Sequence, residues 1–101
     1  MAQVEIQIVR VLRNIYDPEI PVNIYDLGLI YEVSVGAEGK TEIVMTLTSP
    51  GCPVADDLIR EVYEGVGQVE GVSKVDVKLT FDPPWNRDMM TDEAKLELGM
   101  L

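Results

Sequence analysis

The sequence contains no histidine and only one cysteine, Cys52. Histidine is the commonest general base and metal ligand near neutral pH, so its absence removes the usual partner of a catalytic nucleophile. A single cysteine excludes a disulfide within the chain and any zinc site built from cysteines alone. Metal chemistry would have to use one thiolate and carboxylates, and an enzyme with Cys52 as nucleophile is a disfavoured alternative.

Basic residues are also scarce, since 8 Lys and Arg face 18 Asp and Glu and give a formal charge of −10. Phosphate backbones and anionic lipids repel such a chain, so we expect no nucleic-acid or membrane partner. A single-stranded RNA binder is further disfavoured because no G-x-x-G loop with basic neighbours occurs. The charge instead favours partners with basic surfaces.

Long apolar runs are missing as well. No segment reaches the roughly 18 apolar residues of a membrane span. No basic and apolar leader follows Met1. We therefore expect a cytoplasmic protein.

The chain has 101 residues, of which 47% are hydrophobic, and no repeat or low-complexity stretch. This length predicts one domain over residues 1–101, with 86–101 as a C-terminal tail or short helix. Apolar residues recur at helical spacing from Ala2 to Tyr16 and again after Cys52 as far as the Gly65 to Gly67 region.

Alternating apolar residues predict three strands, over 29–35, 41–48 and 74–81, the first two forming an antiparallel hairpin. Thr91 is a suitable N-cap for a terminal helix, and Trp85 after two prolines is typical of a packing anchor. The order is helix, strand, strand, helix, strand, helix. It predicts an α+β two-layer sandwich: a small mixed or antiparallel sheet with helices on one face.

An acidic loop follows the first predicted helix, over residues 17–23. Its two prolines make it stiff, so Asp17 and Glu19 are displayed with little backbone freedom to lose on binding. The alternative is a turn with solvated acids in which Asp17 only caps. Asp26-Leu27-Gly28 then predicts a tight bend into the first strand.

Thr48-Ser49-Pro50-Gly51-Cys52-Pro53 joins the second strand to the second helix. Pro53 suits the first helical position, so Cys52 should lie at or near the helix cap, where backbone N–H groups favour a thiolate. Asp56 and Asp57 oppose that effect, and no nearby Lys or Arg is expected to offset them. We expect a moderately activated thiol at most, and a small buried cysteine is the alternative.

Three segments combine into one pattern: Asp17-Pro18-Glu19 with Asp26-Leu27-Gly28-Leu29-Ile30-Tyr31, then Thr46-Leu47-Thr48-Ser49-Pro50-Gly51-Cys52-Pro53, then Leu79-Thr80-Phe81-Asp82-Pro83-Pro84-Trp85. Together they resemble the small iron–sulfur assembly domains of the SufT-like and PaaD-like family, associated with the SUF system. The resemblance covers Val4 to Trp85.

This resemblance implies an α+β domain and a non-enzymatic role in cluster assembly or transfer during iron–sulfur protein maturation. It also implies a shallow site comprising Asp17, Glu19, Thr48, Ser49 and Cys52, with Asp26 as a weaker candidate that serves the turn. Relatives specialised for one oxygenase system carry additional C-terminal cysteines. Their absence here favours the SufT-like branch.

A thiolate suits iron and a carboxylate adds a harder ligand, so Cys52 and Glu19 are the hypothetical metal ligands. A cluster normally takes four protein ligands, so we expect no stably bound cofactor. Three arrangements stay open: iron or a labile cluster shared by two chains through paired Cys52, a transient ligand during transfer, and an adaptor without direct metal binding.

We favour the transient or adaptor arrangement. The expected partners are the assembly machinery and apo-target proteins. Some members of the resembled family are fused to a scaffold ATPase. No G-x-x-x-x-G-K-[ST] motif occurs in this sequence, so such an ATPase would act as a separate chain.

Overall fold

The computed structural model describes residues 2–17, 20–48 and 55–99. Within these ranges the elements follow the predicted order. They are α1 (Ala2–Leu12), β1 (Ile30–Val35), β2 (Lys40–Met45), α2 (Ala55–Gly67), β3 (Lys74–Leu79) and α3 (Asp92–Glu97), with 3-10 turns at Ala37–Gly39 and Arg87–Met89. The predicted α+β class is confirmed.

The sheet has the strand order β1-β2-β3. β1 pairs with β2 antiparallel, which confirms the predicted hairpin. β3 pairs with β2 in parallel, because α2 carries the chain back along the sheet between these two strands. The sheet is therefore mixed, and β1 and β3 are its two edges.

α1 contacts β1, and α2 contacts both β3 and α1. The core between the helices and the sheet consists of apolar side chains, among them Ile8, Leu12, Leu29, Ile43, Met45, Leu58, Val62 and Val66. These residues are the periodic apolar positions of the sequence, so burial of one face of each element explains the two layers.

The first helix is shorter than predicted, ending at Leu12 and not at Tyr16. The Asn14 side chain ends it, because its Nδ2 donates to the Arg10 carbonyl oxygen at 2.8 Å and so takes an acceptor that the helix would otherwise use. Tyr16 instead pairs with Asn23 in an isolated antiparallel bridge. This bridge joins the two ends of the acidic loop.

The first strand contains a β-bulge that the alternation did not predict. The bulge lies between Ile30, which pairs with Met45, and Glu32. Between them, Tyr31 leaves the regular alternation, and its Oη donates to the carbonyl oxygen of Pro83 at 2.7 Å. A bulge redirects a side chain in this way at the cost of one unpaired position.

β2 and β3 end at Met45 and Leu79, short of the predicted Thr48 and Phe81. Their pairing continues for one more backbone hydrogen bond, in which the Thr80 N–H donates to the Met45 carbonyl at 2.9 Å. The prolines that follow β3 then end regular pairing, because proline has no N–H to donate.

The C-terminal predictions are confirmed. The Thr91 hydroxyl accepts the Ala94 N–H at 3.2 Å and caps α3. Trp85 packs against the core, and its indole Nε1 donates to the Leu27 carbonyl at 2.7 Å. Among the residues that the structure describes, no helix has the length and apolar character needed to cross a bilayer.

Candidate functional site

Three of the predicted site residues, Asp17, Asp26 and Thr48, lie in the described part of the chain. Glu19, the residues from Ser49 to Val54 with Cys52 among them, and the predicted cap at Cys52 lie outside it. The structure therefore shows the frame from which these residues extend.

Asp17 is buried, with 6% of its surface exposed. Its Oδ1 accepts the Ile20 N–H at 3.1 Å, and its own N–H donates to the Val22 carbonyl at 3.3 Å. An aspartate that accepts a backbone N–H a few residues later stabilises a turn. Asp17 therefore has the capping role that the alternative interpretation gave it, although its side chain is buried and not solvated.

Asp26 is also buried and makes reciprocal hydrogen bonds with Asn23. Asn23 Nδ2 donates to Asp26 Oδ2 at 2.9 Å, and the Asp26 N–H donates to Asn23 Oδ1 at 2.8 Å. The same carboxylate oxygen lies 3.5 Å from Nη2 of Arg13, and the Asp26 carbonyl accepts the Thr91 N–H at 2.9 Å. Asp26 serves the turn, as expected for the weaker candidate.

Residues 83–93, which we call the C-terminal clamp, hold this turn from outside. Trp85 binds the Leu27 carbonyl as described above. Gly28 has φ +84°, and a methyl group placed on it would collide with the Met89 carbonyl oxygen. Only glycine combines this backbone conformation with so close an approach. The bend at Asp26-Leu27-Gly28 is therefore a docking point for the clamp.

Thr46 is fully buried, and its hydroxyl has no hydrogen-bond partner among residues 2–17, 20–48 and 55–99. An unsatisfied buried hydroxyl costs about 1–3 kcal/mol. The site predicted from the sequence does not include Thr46. Its position between Met45 and Leu47, in an apolar stretch that leads to the cysteine turn, is a signal that could have indicated a buried polar group. Thr48, two residues further on, is half-buried.

Backbone hydrogen bonds join the two halves of the predicted site into one frame. The Ile24 N–H donates to the Ile15 carbonyl at 2.8 Å, and the Leu29 N–H donates to the Ile24 carbonyl at 3.1 Å. The Thr46 N–H then donates to the Leu29 carbonyl at 2.8 Å. The acidic loop and the chain that enters the cysteine turn are thus held together through a few fixed bonds.

The start of α2 contains an ion pair that corrects one expectation. Arg60 Nη1 lies 4.0 Å from Asp57 Oδ1, so a basic group does offset one of the two acids. Both side chains are well exposed, and such pairs contribute about 0–1 kcal/mol. Asp56 and Asp57 therefore still make the start of this helix acidic.

Within residues 2–17, 20–48 and 55–99, no group of three or more cysteine, aspartate or glutamate side chains is arranged to hold a metal ion. The Asp17 carboxylate accepts a backbone N–H, and the Asp26 carboxylate binds the Asn23 amide and Arg13. Iron or a cluster carried by this chain would need Cys52, Glu19 or a second protein to complete its ligands.

A sequence profile described as "Iron-sulfur cluster assembly protein" matches residues 5–79. The chain belongs to this family. It is 60% identical over 99 residues to an Fe-S protein maturation auxiliary factor of Porphyromonas gingivalis, covering 98% of this chain and 94% of that protein. It is 38% identical to the Fe-S protein maturation auxiliary factor SufT of Staphylococcus aureus, covering 85% of this chain and 98% of the relative.

A solved structure of this fold is the crystal structure of the domain of unknown function DUF59 from Bacillus anthracis. It superposes with a TM-score of 0.91 at 33% identity and covers 99% of this chain and 95% of that one. The resemblance to the SufT-like family is confirmed. The likeness includes the C-terminal clamp, although the family profile ends at Leu79.

Proposed function

We propose that this protein is an accessory factor in iron–sulfur protein maturation that holds iron or a cluster briefly as cargo. Cys52 would supply the soft ligand and Glu19 an oxygen ligand. Asp17, Thr48 and Ser49 would complete the surface, while Asp26 supports it structurally. The observation that carries the proposal is the family match over residues 5–79, which includes both the acidic loop and the cysteine turn.

The ligand chemistry favours transfer over storage. Thiolates bind iron well, but a cluster normally takes four protein ligands and this chain has one cysteine. A site with too few ligands leaves positions free for a donor or acceptor protein. Incomplete ligation would thus assist exchange between the assembly machinery and an apo-protein.

The frame around the predicted site supports a fixed presentation of these groups. Asp17 is buried and hydrogen-bonded. The backbone hydrogen bonds that lead through Leu29 to Thr46 limit the movement of the acidic loop relative to the chain that enters the cysteine turn. Ligands whose backbone is already ordered lose less entropy when they bind. The Thr46 hydroxyl, which has no hydrogen-bond partner in the described part of the chain, adds a polar atom just before the cysteine turn.

A second candidate function is an adaptor that binds partner proteins without touching the metal. It is favoured by the single cysteine of the chain, because one thiolate cannot hold a cluster by itself. In that case Cys52 would contact a protein surface, and its loss would weaken association without changing iron content.

Anaerobic reconstitution with ferrous iron and sulfide separates the two candidates. For the cargo role we expect visible absorption from a labile cluster or iron bound to the wild-type chain, and its loss in Cys52→Ser and Cys52→Ala. Maturation of an apo-protein should slow about tenfold or more with either variant. If the wild-type chain takes up no iron and Cys52→Ala supports maturation fully, the cargo role is wrong.

Thr46→Val provides a matched test of the buried hydroxyl. The two side chains have nearly the same shape. Because the hydroxyl has no partner among the described residues, its removal should leave stability unchanged or raise it by about 1 kcal/mol. If the hydroxyl serves the cysteine turn, cluster transfer should nevertheless slow. Unchanged transfer together with higher stability would show that Thr46 has no part in the function.

A further inference from the structure

The first turns of α1 and the end of α2 border an open groove in the helix layer. A methyl group placed on Gly65 of α2 would lie 2.7 Å from Val11 Cγ1, and one on Gly71 would lie 2.9 Å from Val4 Cγ2. The two helices therefore run antiparallel and approach closely at these points. A cavity of about 890 Å³ lies along them, lined by residues between 3 and 11 of α1 and between 65 and 71.

Apolar side chains form a continuous strip in this groove. Val4, Val11 and Val69 line the cavity, are half-buried and pack against the core. Ile6 also lines the cavity and keeps 52% of its surface exposed. A contiguous apolar strip with polar borders, unlike a single exposed apolar residue, marks a binding surface.

The α2 rim of the groove is acidic. Glu61 precedes Gly65 by four residues and Glu64 precedes Gln68 by four, so helical spacing puts both glutamates on the face of α2 that lines the groove. Glu70 lines the cavity itself. All three glutamates are exposed, and none forms an ion pair with any residue that the structure describes.

The other charges near the groove do not cancel this rim. Arg10 follows Ile6 by four residues, so it lies on the α1 rim, across the groove from the acids. Asp57 continues the acidic row toward the start of α2, but Arg60 offsets it at 4.0 Å. Glu5 does not line the cavity. The groove therefore has an acidic rim on α2 and a rim with one base on α1.

The dimensions of the groove suit a third helix. α1 has 11 residues, which corresponds to about 16 Å, so a helix of about three turns would fill it. A helix in the groove between two packed helices contacts both of them, and it satisfies its own backbone hydrogen bonds. An extended segment would find side chains here and no strand edge. An anionic lipid surface would be repelled by the α2 rim.

We propose that an amphipathic helix of a partner protein binds in this groove. Its apolar face lies on the valines and on Ile6. Lysine or arginine side chains lie along the flank that faces the α2 rim, and the flank that faces Arg10 is neutral or acidic. Apolar residues at helical spacing supply affinity in this mode, and the one basic flank fixes the direction of the bound helix.

The groove lies far from the predicted cargo ligands. Cys52 comes three residues before α2, whereas the cavity begins at Gly65, near the end of this 13-residue helix. Such a helix is about 20 Å long. A partner helix could therefore stay bound while the cysteine turn remains accessible. This binding surface does not depend on the cargo role, because neither Cys52 nor Glu19 takes part.

A second copy of the chain suits the groove less well. The exposed side of α1 that carries Ile6 offers one base, Arg10, to the acids of the α2 rim. Two chains with a formal charge of −10 each also repel one another. A partner helix with several bases on one flank avoids both disadvantages.

The test uses the peptide acetyl-LKAALKQLKAQLKQAL-amide and its counterpart with glutamate in place of lysine. In helical form the leucines of this peptide share one face and the lysines share one flank. Amide shifts of the full chain are followed by NMR during titration. We expect the lysine peptide to shift the amides of residues 3–11 and 65–71 and to bind about tenfold or more tightly than the glutamate peptide.

One pair of variants tests the apolar contact. Ile6→Ser should weaken binding of the lysine peptide about fivefold, because it removes the exposed apolar group of the groove. Leu96→Ser, which changes an exposed apolar residue on α3, is the control and should leave binding unchanged. Equal effects of the two substitutions would overturn the proposal.

A second pair separates the acidic rim from the net charge. Glu64→Lys should weaken the lysine peptide about fivefold and strengthen the glutamate peptide. Glu97→Lys makes the same charge change on α3 and should alter either affinity less than about twofold. If the two variants weaken the lysine peptide equally, net charge alone attracts it and the proposal is wrong.

Self-association is measured on the peptide-free protein by sedimentation. A monomer agrees with a groove that is free for a partner. A dimer that is lost in Ile6→Ser would instead show that a second copy occupies the groove, and would overturn the proposal. Absence of shifts at residues 3–11 and 65–71 with millimolar lysine peptide would do the same.

Discussion

The acidic turn and the β3 edge use their polar groups in opposite ways. In the turn, the Asp17 and Asp26 carboxylates and the Leu27 carbonyl all have hydrogen-bond partners. Along β3, by contrast, backbone groups face outward, and the Val77 N–H meets only a long contact with Tyr63. Satisfied buried polar groups stabilise a fold, whereas unpaired strand edges attract new partners.

This difference separates large from small effects on stability. Substitutions in the turn should lower stability, because each side chain there supports several others. Substitutions along the β3 edge should leave stability nearly unaffected, because their side chains are partly solvated. A comparison of matched variants in the two regions therefore tests whether the acidic turn is a rigid frame and the edge an accessible surface.

The largest effect is expected for Gly28→Ala in the turn. Its φ of +84° is unfavourable for alanine, and the new methyl group would collide with the Met89 carbonyl. Strain and overpacking together should lower the free energy of unfolding by about 3 kcal/mol or more. Chemical denaturation followed by circular dichroism measures this loss.

Gly99→Ala is the control, because Gly99 has a similar φ of +72° but no atom within 4 Å of an added methyl group. Gly99→Ala should lower the free energy of unfolding by about 1 kcal/mol, from backbone strain alone. Equal losses of unfolding free energy in the two variants would mean that the C-terminal clamp does not closely contact the turn at Gly28.

A smaller effect is expected for Trp85→Phe, which removes the 2.7 Å hydrogen bond to the Leu27 carbonyl and part of the buried ring. Loss of the donor leaves that carbonyl without its indole partner, so stability should fall by about 1–2 kcal/mol. Tyr63→Phe removes one polar group from the β3 edge in the same way. Its unfolding free energy should change by less than about 0.5 kcal/mol, and an equal loss would contradict the comparison.

The smallest effect concerns Lys78 beside the β3 edge. The hydrogen bond and charge of Glu42 raise the pKa of Lys78 above its usual 10.5, with smaller contributions from Asp76 and Glu32. A raised folded-state pKa means that the pair's stabilisation is complete below pH 10.5 and is lost as pH rises through the folded value. Glu42→Gln should lower the pKa of Lys78.

An NMR titration of the lysine side chains between neutral and alkaline pH measures this change. Glu93→Gln, which alters an acid of the C-terminal clamp, serves as the control and should leave the Lys78 titration in place. If Glu42→Gln leaves the pKa of Lys78 unchanged, the 3.1 Å ion pair between Lys78 and Glu42 does not persist in solution.

Much of the fold was predictable because its signals are local. Helical spacing of apolar residues identified α2, alternation identified three strands, and Thr91 identified the cap of α3. The three-segment pattern also led to the family, which the profile match over residues 5–79 confirms. Local propensities failed at boundaries, as at Asn14, where one side chain ends α1 early, and at the bulge between Ile30 and Glu32.

The candidate site was less predictable, because contacts between distant residues decide it. The sequence suggested that Asp17 could be a displayed acid and that Asp26 serves the turn, but not that both are buried. The bond from Trp85 to Leu27 spans 58 positions, and Arg13 reaches Asp26 across 13. No local pattern carries such information, and the roles of Glu19, Ser49 and Cys52 stay predictions.

The residue types that the sequence lacks limit the chemistry by themselves: the chain has no histidine, one cysteine and a formal charge of −10. These counts hold in any fold, because they depend on which functional groups exist. Only the tertiary structure decided how the remaining groups are used. Packing buried Asp17, Asp26 and Thr46, while strand order and the path of α2 left the outer side of β3 open. Burial and strand pairing depend on which distant segments meet, and only the folded chain determines that.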